Sequence, residues 1–172
     1  MATEELPSDA RPTEYVHGGA RALVTLHERY LSEFLLVWRQ FVAAGCALPA
    51  TSDPDYASAQ TLLRHVLGAA RGYLVWTCEK LGLPDPGITP TPDADNIAAA
   101  ADEYTRHLIE RWREPLKTLS HEQCDRATFE SSWGVPYCID AMLEHAVMHP
   151  IRHTLQLQQL LAADRRASGT PE

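Results

Sequence analysis

The positions of the prolines constrain the fold of this chain strongly. Proline interrupts a helix because it lacks a backbone N–H and its ring clashes with the preceding turn. Three long stretches, residues 13–48, 55–83 and 93–114, contain no proline. Residues 83–93, between the second and the third, contain four prolines and a glycine. The chain is therefore divided into segments that can be helical and a Pro-rich connection that cannot.

Apolar residues recur every three or four positions in the proline-free segments, which is the period of an amphipathic helix. We predict a second helix that is capped by Asp53, has Pro54 at its first position and ends at Gly82. We predict a first helix over residues 16–44, ended by Gly45, whose buried stripe consists of Leu23, Leu26, Tyr30, Phe34, Val37, Trp38 and Phe41.

An irregular segment separates the third predicted helix from the fourth. The third follows Asp93 or Asp95, and Pro115 is expected to end or kink it. Residues 120–136 break the period, with a short extended piece and a turn, and the fourth helix covers about 137–163. Four amphipathic helices bury their stripes best against one another. We therefore predict an all-α, up-down four-helix bundle in which the Pro-rich connection is the crossover between helices two and three.

Length and composition narrow the possible functions. A chain of 172 residues is typical of one domain, which we expect to span residues 1–172 with flexible tails at 1–13 and 165–172. The acidic N-terminus does not resemble a signal peptide, and no apolar run reaches the ~18 residues that span a bilayer. We therefore predict a cytoplasmic protein that does not enter membranes. The formal net charge of −8 repels phosphate, so we expect no nucleic-acid partner.

The cysteines and the short catalytic motifs exclude further classes. No C-x-x-C pair occurs, so neither a zinc knuckle nor a thioredoxin motif is present. The chain also lacks the glycine-rich phosphate-binding and nucleophile-elbow motifs. We expect reduced and mostly buried thiols at Cys46, Cys78, Cys124 and Cys138.

Three histidines stand at intervals of four residues in the fourth predicted helix, at His145, His149 and His153. Each interval advances about 40° around a helix, so the three share a face with the apolar stripe. Burying imidazoles without partners costs free energy, and a shared metal cation removes that cost. Two histidines four residues apart can bind one ion from a single helix. The spacing alone leaves open whether His145 and His149 or His149 and His153 form the pair.

A further ligand is expected from a facing helix, and His65 on the core side of helix two is the best candidate. Three histidines leave an open coordination position, which is typical of sites that activate water or bind a substrate. The alternative is that these residues are core histidines held by hydrogen bonds. For His27 on helix one we favour such a polar core contact.

For the remaining histidines and the tryptophans we predict roles at the surface, in a pocket wall or in packing. We predict that His17, His107 and His121 are surface residues without matching partners. Trp133, in the irregular segment, is a candidate for the wall of a pocket. Packing roles are predicted for Trp38, Trp76 and Trp112.

The stretch H-A-V-M-H-P-I-R-H-T-L-Q-L, from His145 to Leu157, resembles the last-helix motif of the DinB/YfiT-like superfamily. The segment L-L-R-H-V-L-G-A-A around His65 is similar to the second-helix segment of that family. The resemblance covers about residues 16–163. It implies a four-helix bundle that holds a divalent metal through His65, His149 and His153. It also implies that His145 lies beside the metal without binding it.

The chain departs from the family pattern beside the ligands. Pro150 stands where the family often has Glu, and it is expected to kink the helix or to leave the Ala146 carbonyl for another donor. The family's Arg-Gly after the last histidine is replaced by Thr154-Leu155. For Gln156 we expect a surface or interhelical hydrogen bond.

These features favour a metal-dependent enzyme. The resemblance implies a thiol S-transferase or a hydrolase that acts on a small molecule, possible substrates including low-molecular-weight thiols. Zinc is the first expected metal, with nickel, iron or manganese as alternatives, and His145 is the candidate catalytic proton shuttle. The chain is expected to form a homodimer. Two other functions stay open, namely a non-catalytic metal-binding or stress-response protein and a metal-free helical interaction module.

Overall fold

The computed structural model describes residues 15–125 and 127–167. The predicted tail at 1–13 lies outside these residues, as does the stretch 168–172. The described chain is predominantly helical, which confirms the all-α prediction. Its helices are α1 (Gly18–Ala43), α2 (Ala59–Leu81), α3 (Ile97–Arg113), the short α4 (His121–Asp125) and α5 (Ile139–Ala167).

Glycine ends the first two helices as predicted. Gly45 and Gly82 have φ angles of 69° and 64°, a left-handed conformation that closes a helix readily only with glycine. The predicted start of helix two is wrong. Asp53 instead caps a single 3-10 turn over Pro54–Tyr56, because its carboxylate accepts a hydrogen bond from the Asp55 N–H.

The start of α2 is set by a reciprocal capping box further along the chain. The Ser58 hydroxyl oxygen accepts from the Thr61 N–H, and the Thr61 hydroxyl oxygen accepts from the Ser58 N–H. This pair satisfies two backbone donors that the first helical turn leaves free. The 3-10 turn and the cap together place a short polar segment against the beginning of α2.

Proline acts differently in α3 and α5. α3 ends at Arg113, two residues before Pro115, as the prediction allowed. In α5 the helix continues through Pro150, and the Thr154 hydroxyl donates to the Pro150 carbonyl at 2.8 Å. α5 also runs to Ala167, four residues beyond the predicted end at Ala163.

The irregular segment contains a small β-hairpin. Strand β1 (Phe129–Glu130) pairs antiparallel with β2 (Pro136–Tyr137), and Gly134 has a φ of 79° in the turn. The Trp76 indole N–H donates to the Glu130 carbonyl at 3.1 Å, which fixes the hairpin against α2. The extended piece and the turn were predicted, whereas the second strand and α4 were not.

The four long helices share one core. α1 packs extensively along α5, α2 contacts both α3 and α5, and α1 also contacts α3. The Trp38 and Trp112 indoles donate to the Ala59 and Ala70 carbonyls of α2, at 2.7 and 3.1 Å. Both tryptophans therefore join helices as well as filling volume.

The buried face of α1 differs from the predicted stripe in its first half. Leu26 is 37% exposed, and the core side passes instead through Val24, His27 and Leu31. Each of these observed core positions follows a predicted one by one residue, and both sets of positions repeat with the helical period. Within residues 15–125 and 127–167, none of the helices has the length and hydropathy that a membrane crossing requires.

Candidate metal centre

The structure brings His65, His149 and His153 together. His149 and His153 lie one turn apart on the buried face of α5, and His65 faces them from α2. One ring nitrogen from each residue lies within 4.8 Å of the corresponding atoms of the other two. We call these three residues the histidine triad.

The spacing within the histidine triad fits a shared metal ion. His65 Nε2 lies 3.1 Å from His149 Nε2. Two imidazole nitrogens at ~2.0–2.1 Å from one zinc ion are roughly 2.9–3.4 Å apart for bond angles between a right angle and the tetrahedral value. The rings of His149 and His153 are 4.8 Å apart between centroids.

Two polar side chains orient the triad from behind. His65 Nδ1 lies 2.9 Å from the Asp55 carboxylate, and His153 Nδ1 lies 3.1 Å from the Gln156 amide oxygen. Because both partners accept, we assign the proton of each ring to Nδ1. The Nε2 lone pairs of His65 and His153 are then directed into the triad, an arrangement typical of histidine metal ligands.

The site is poor in water and favours neutral imidazole. His149 and His153 are 6% and 7% exposed, whereas the His65 side chain is 25% exposed. Burial first, and then the neighbouring His153 and His65 rings, lower the pKa of His149 to about 2. Burial also lowers the pKa of His153. Neutral imidazole is the form that ligates metals.

His145 lies beside the triad in an aromatic environment. Its ring is 5.3 Å from that of Tyr73 and 5.7 Å from those of Trp133 and Tyr137. Tyr73 also contacts His149, with ring centroids 5.7 Å apart. Burial, together with the Arg152 guanidinium, lowers the pKa of His145. His145 therefore lies outside the triad, and the Tyr73 ring contacts both His145 and His149.

A cavity of about 460 Å³ opens next to the triad. It lies between α2, the hairpin turn and α5, and its walls are mainly apolar. Trp133 contributes to it, as the sequence had suggested, and is 47% exposed. The cavity is lined by His65, His149, Tyr73, Trp76, Trp133 and Met142, among others.

Sequence reasoning missed three residues around the triad. Asp55 and Tyr56 lie in the 3-10 turn, and the Tyr56 ring is 5.7 and 5.8 Å from those of His65 and His153. No helical spacing relates a non-helical turn to His65, so the sequence held no signal for this contact. Arg152 is exposed, yet its charge acts on His145, His149 and His153. Its position directly before His153 was the available signal.

Two expectations about nearby residues are corrected. The hydrogen bond of Gln156 is not interhelical, because one turn of α5 brings its amide oxygen to 3.1 Å from His153 Nδ1. His17 is not a surface residue, since only 14% of its side chain is exposed and its Nε2 lies 3.5 Å from Asp140 Oδ1. The partner of His17 comes from another helix, which spacing along the chain does not reveal.

The other histidines have different surroundings. His27 is 1% exposed and stacks on Trp112 with ring centroids 4.1 Å apart. The expected polar contact is missing, because neither ring nitrogen of His27 has a hydrogen-bond partner among the described residues. His107 was predicted to be a surface residue without a partner, but it is half-buried and its Nε2 accepts from the Thr89 N–H. His121 is 75% exposed, as predicted, but it has a partner, because its Nε2 lies 3.5 Å from Asp125 Oδ2.

Comparisons of this chain with known protein families, with curated proteins and with solved structures found no match.

Proposed function

We propose that this protein is a metal-dependent enzyme of the DinB-like type that acts on a small molecule. His65, His149 and His153 hold one divalent ion, and zinc is the first candidate for that ion. The observation that carries the proposal is the convergence of three imidazoles, two of which are oriented by Asp55 and Gln156, at the edge of a cavity. The resemblance of the sequence around these histidines to the DinB/YfiT-like motif supports it.

We further propose that the four long helices form a bundle of two antiparallel pairs joined by the Pro-rich crossover. Arg39 pairs with Asp102 and Glu28 with Arg113, so α1 and α3 run in opposite directions. His65 meets His149 while Tyr73 meets His145, so α2 and α5 are also antiparallel. Trp38 near the end of α1 bonds Ala59 at the start of α2, so these two helices are antiparallel as well. The order of directions is then up, down, down, up, and the long connection lets helices two and three run parallel.

The donor set suits catalysis by an open metal site. A divalent ion bound by three imidazoles supplies a Lewis acid that lowers the pKa of a bound water or thiol. The side chains of the protein provide the substrate pocket. Tyr73, Trp76 and Trp133 give the cavity aromatic walls that bind the apolar part of a substrate and exclude water.

His145 is the proposed proton carrier. Because its pKa is lowered, the imidazole is neutral near pH 7 and can accept a proton. It contacts Tyr73 and Trp133, two of the residues that line the cavity. Arg152 places a cation near the same histidines, which favours substrates with an acidic group. Low-molecular-weight thiols that carry a carboxylate, and small hydrolysable acids, fit these features.

The test is a screen of the zinc-loaded and the chelator-treated protein against thiols paired with electrophiles, and against small esters and amides. We expect turnover that needs the metal and falls by roughly 10²–10⁴ in His145→Ala, as for loss of a general base. Glu144→Ala is the matched control, because the neighbouring Glu144 is exposed. The absence of turnover in every assay, or turnover that neither chelation nor His145→Ala reduces, would reject the proposal of a metal-dependent enzyme.

One observation favours a second candidate, a metal-free interaction module. The 3.1 Å between His65 Nε2 and His149 Nε2 also fits a hydrogen bond from one neutral ring to the other. In that case the triad is a polar core contact that joins α2 to α5. A protein that fails to bind zinc, nickel, iron or manganese at micromolar concentrations would favour this candidate.

A further inference from the structure

We propose that His17, Cys124 and Asp140 form a second metal site, which binds a zinc ion and joins three separate parts of the chain. His17 directly precedes α1, Cys124 lies in α4, and Asp140 is the second residue of α5. Asp140 is nine residues from His149, or about 14 Å along a helix, so the site is distinct from the histidine triad.

The donor atoms are those that zinc prefers. One imidazole nitrogen, one sulfur and one carboxylate oxygen lie within 4.8 Å of one another. Thiolate, imidazole and carboxylate are all common zinc ligands, and a thiolate and a carboxylate together neutralise the charge of Zn²⁺. The sulfur and nitrogen ligands disfavour magnesium and calcium, so the cluster favours zinc over these ions.

The distance between His17 and Asp140 fits two ligands of one ion better than a hydrogen bond. His17 Nε2 and Asp140 Oδ1 are 3.5 Å apart. Good hydrogen bonds between nitrogen and oxygen are ~2.7–3.2 Å long. Nitrogen and oxygen ligands at ~2.0–2.2 Å from one tetrahedral zinc ion are about 3.4 Å apart.

The same two atoms lack other partners. His17 Nε2 and Asp140 Oδ1 are both buried, and neither makes a hydrogen bond within the described part of the chain. Cys124 is fully buried beside them. Buried polar atoms without a partner are rare because they lose water and gain nothing in return. A cation between them satisfies both.

Glycine at position 19 allows the His17 ring to reach the cluster. A Cβ at Gly19 would lie 2.7 Å from His17 Nε2, whereas a Cβ at Gly18 would meet nothing within 4 Å beyond its two neighbours in the chain. The imidazole therefore lies over the first turn of α1 in space that a side chain at position 19 would fill. These two adjacent glycines give a matched pair of variants.

Two nearby side chains are candidates for the fourth coordination position. Cys138 lies two residues before Asp140 and, after burial and the Asp140 and Asp125 carboxylates, contributes to raising the pKa of Cys124. The His121 ring lies 5.2 Å from that of His17. With a fourth protein ligand the site is closed, which is typical of structural zinc. It then ties the beginning of α1 and α5 to α4.

Titration with Co²⁺ tests the proposal in the full-length protein. Thiolate bound to cobalt gives a charge-transfer absorption that the sulfur-free histidine triad cannot give. We expect this band in the wild type, its saturation at one equivalent in a His149→Ala background that leaves only this site, and its absence in Cys124→Ser. Cys78→Ser is the matched control, because Cys78 is equally buried in α2. Zinc added afterwards should abolish the band.

Gly19→Ala provides a variant that leaves the thiol intact. We expect at least a tenfold loss of cobalt affinity in Gly19→Ala and none in Gly18→Ala, with circular dichroism showing both folded. The band's absence from the folded wild-type protein, its persistence in Cys124→Ser, or equal affinities of the two glycine variants would overturn the proposal. His149→Ala should keep the band, so failure of the triad and failure of this site give different results.

Discussion

The protein buries histidines in two different ways. His27 lies on α1 with 1% exposure, packed on the face of Trp112, and neither of its ring nitrogens has a partner among the described residues. In the histidine triad His149 and His153 are 6% and 7% exposed and the His65 side chain is 25% exposed. Two of its rings are held by Asp55 and Gln156, and one nitrogen of each of the three lies within 4.8 Å of the others. Burial is common to both regions, and convergence belongs only to the triad.

This difference shows what turns a core histidine into a candidate ligand. Burial alone keeps imidazole neutral, and it lowers the pKa of His27 to about 3 and that of His149 to about 2. A neutral imidazole becomes a site when other donors face it and when an acceptor fixes its tautomer. His27 has neither, so we interpret it as a packing residue whose protonation is costly.

The largest expected effect is on metal affinity. His149→Ala should weaken zinc binding at the triad by more than 100-fold, because it removes a ligand rather than a supporting residue. His27→Leu should change this affinity by less than about threefold. Isothermal titration of chelator-treated protein measures both, in a Cys124→Ser background that leaves only the triad. Equal losses in the two variants would mean that burial, and not convergence, governs the effect.

Removing an orienting residue should have the next largest effect. Asp55→Ala and Gln156→Ala each free a ring that the structure holds, and such losses typically weaken metal binding by ~10–100-fold. Gln159→Ala is the control, since this exposed glutamine lies on the same helix. The same titration applies. If Gln156→Ala behaves like Gln159→Ala, the hydrogen bond to His153 does not support the site.

The burial of His27 should affect how the free energy of unfolding depends on pH below 7. Its folded pKa of about 3 lies below the ~6.5 of an unfolded histidine, so the unfolded state binds more protons between these values. Its contribution to stability is complete above pH 6.5 and is lost as the pH falls, by about 1.4 kcal/mol per unit. His27→Leu should remove this slope in urea unfolding measured from pH 7 to 4. A variant whose stability falls as steeply as that of the wild type would contradict this interpretation.

The smallest expected effect is that of His145→Ala on metal binding. Its ring packs against Tyr73, Trp133 and Tyr137 and is not part of the triad. Zinc affinity should therefore stay within about threefold of the wild type. A loss as large as that of His149→Ala would shift the ligand pair by one helical turn, to His145 and His149, which the spacing alone had also allowed.

Much of the fold was predictable because local rules set it. Proline and glycine mark where helices end, as at Gly45, Gly82 and Pro115. The start of α2 was not predictable from Asp53-Pro54, because these residues satisfy the same capping rule in a single 3-10 turn. Ser58 and Thr61 provide a second capping site, and helix propensity alone does not show that α2 begins there rather than at Asp53.

The site was predictable only where its residues follow a helical period. His149 and His153 share a face of α5 by spacing, and the resemblance drew His65 to them. Asp55 lies in a turn, and His17 is the residue that precedes α1. Tertiary packing alone decides what these two side chains contact. Periodicity placed His65 on an apolar face, whereas the predicted stripe of α1 passed through Leu26 and not His27. Neither pattern showed which buried histidine other donors would meet.

The most direct test of the histidine triad is a crystal structure of the zinc-loaded protein, with anomalous diffraction recorded at the zinc absorption edge. We predict an anomalous peak at ~2.0–2.1 Å from the Nε2 atoms of His65, His149 and His153, with His145 outside bonding distance. A map in which no peak lies between these rings, and His65 and His149 stay hydrogen-bonded to each other at saturating zinc, would contradict the account.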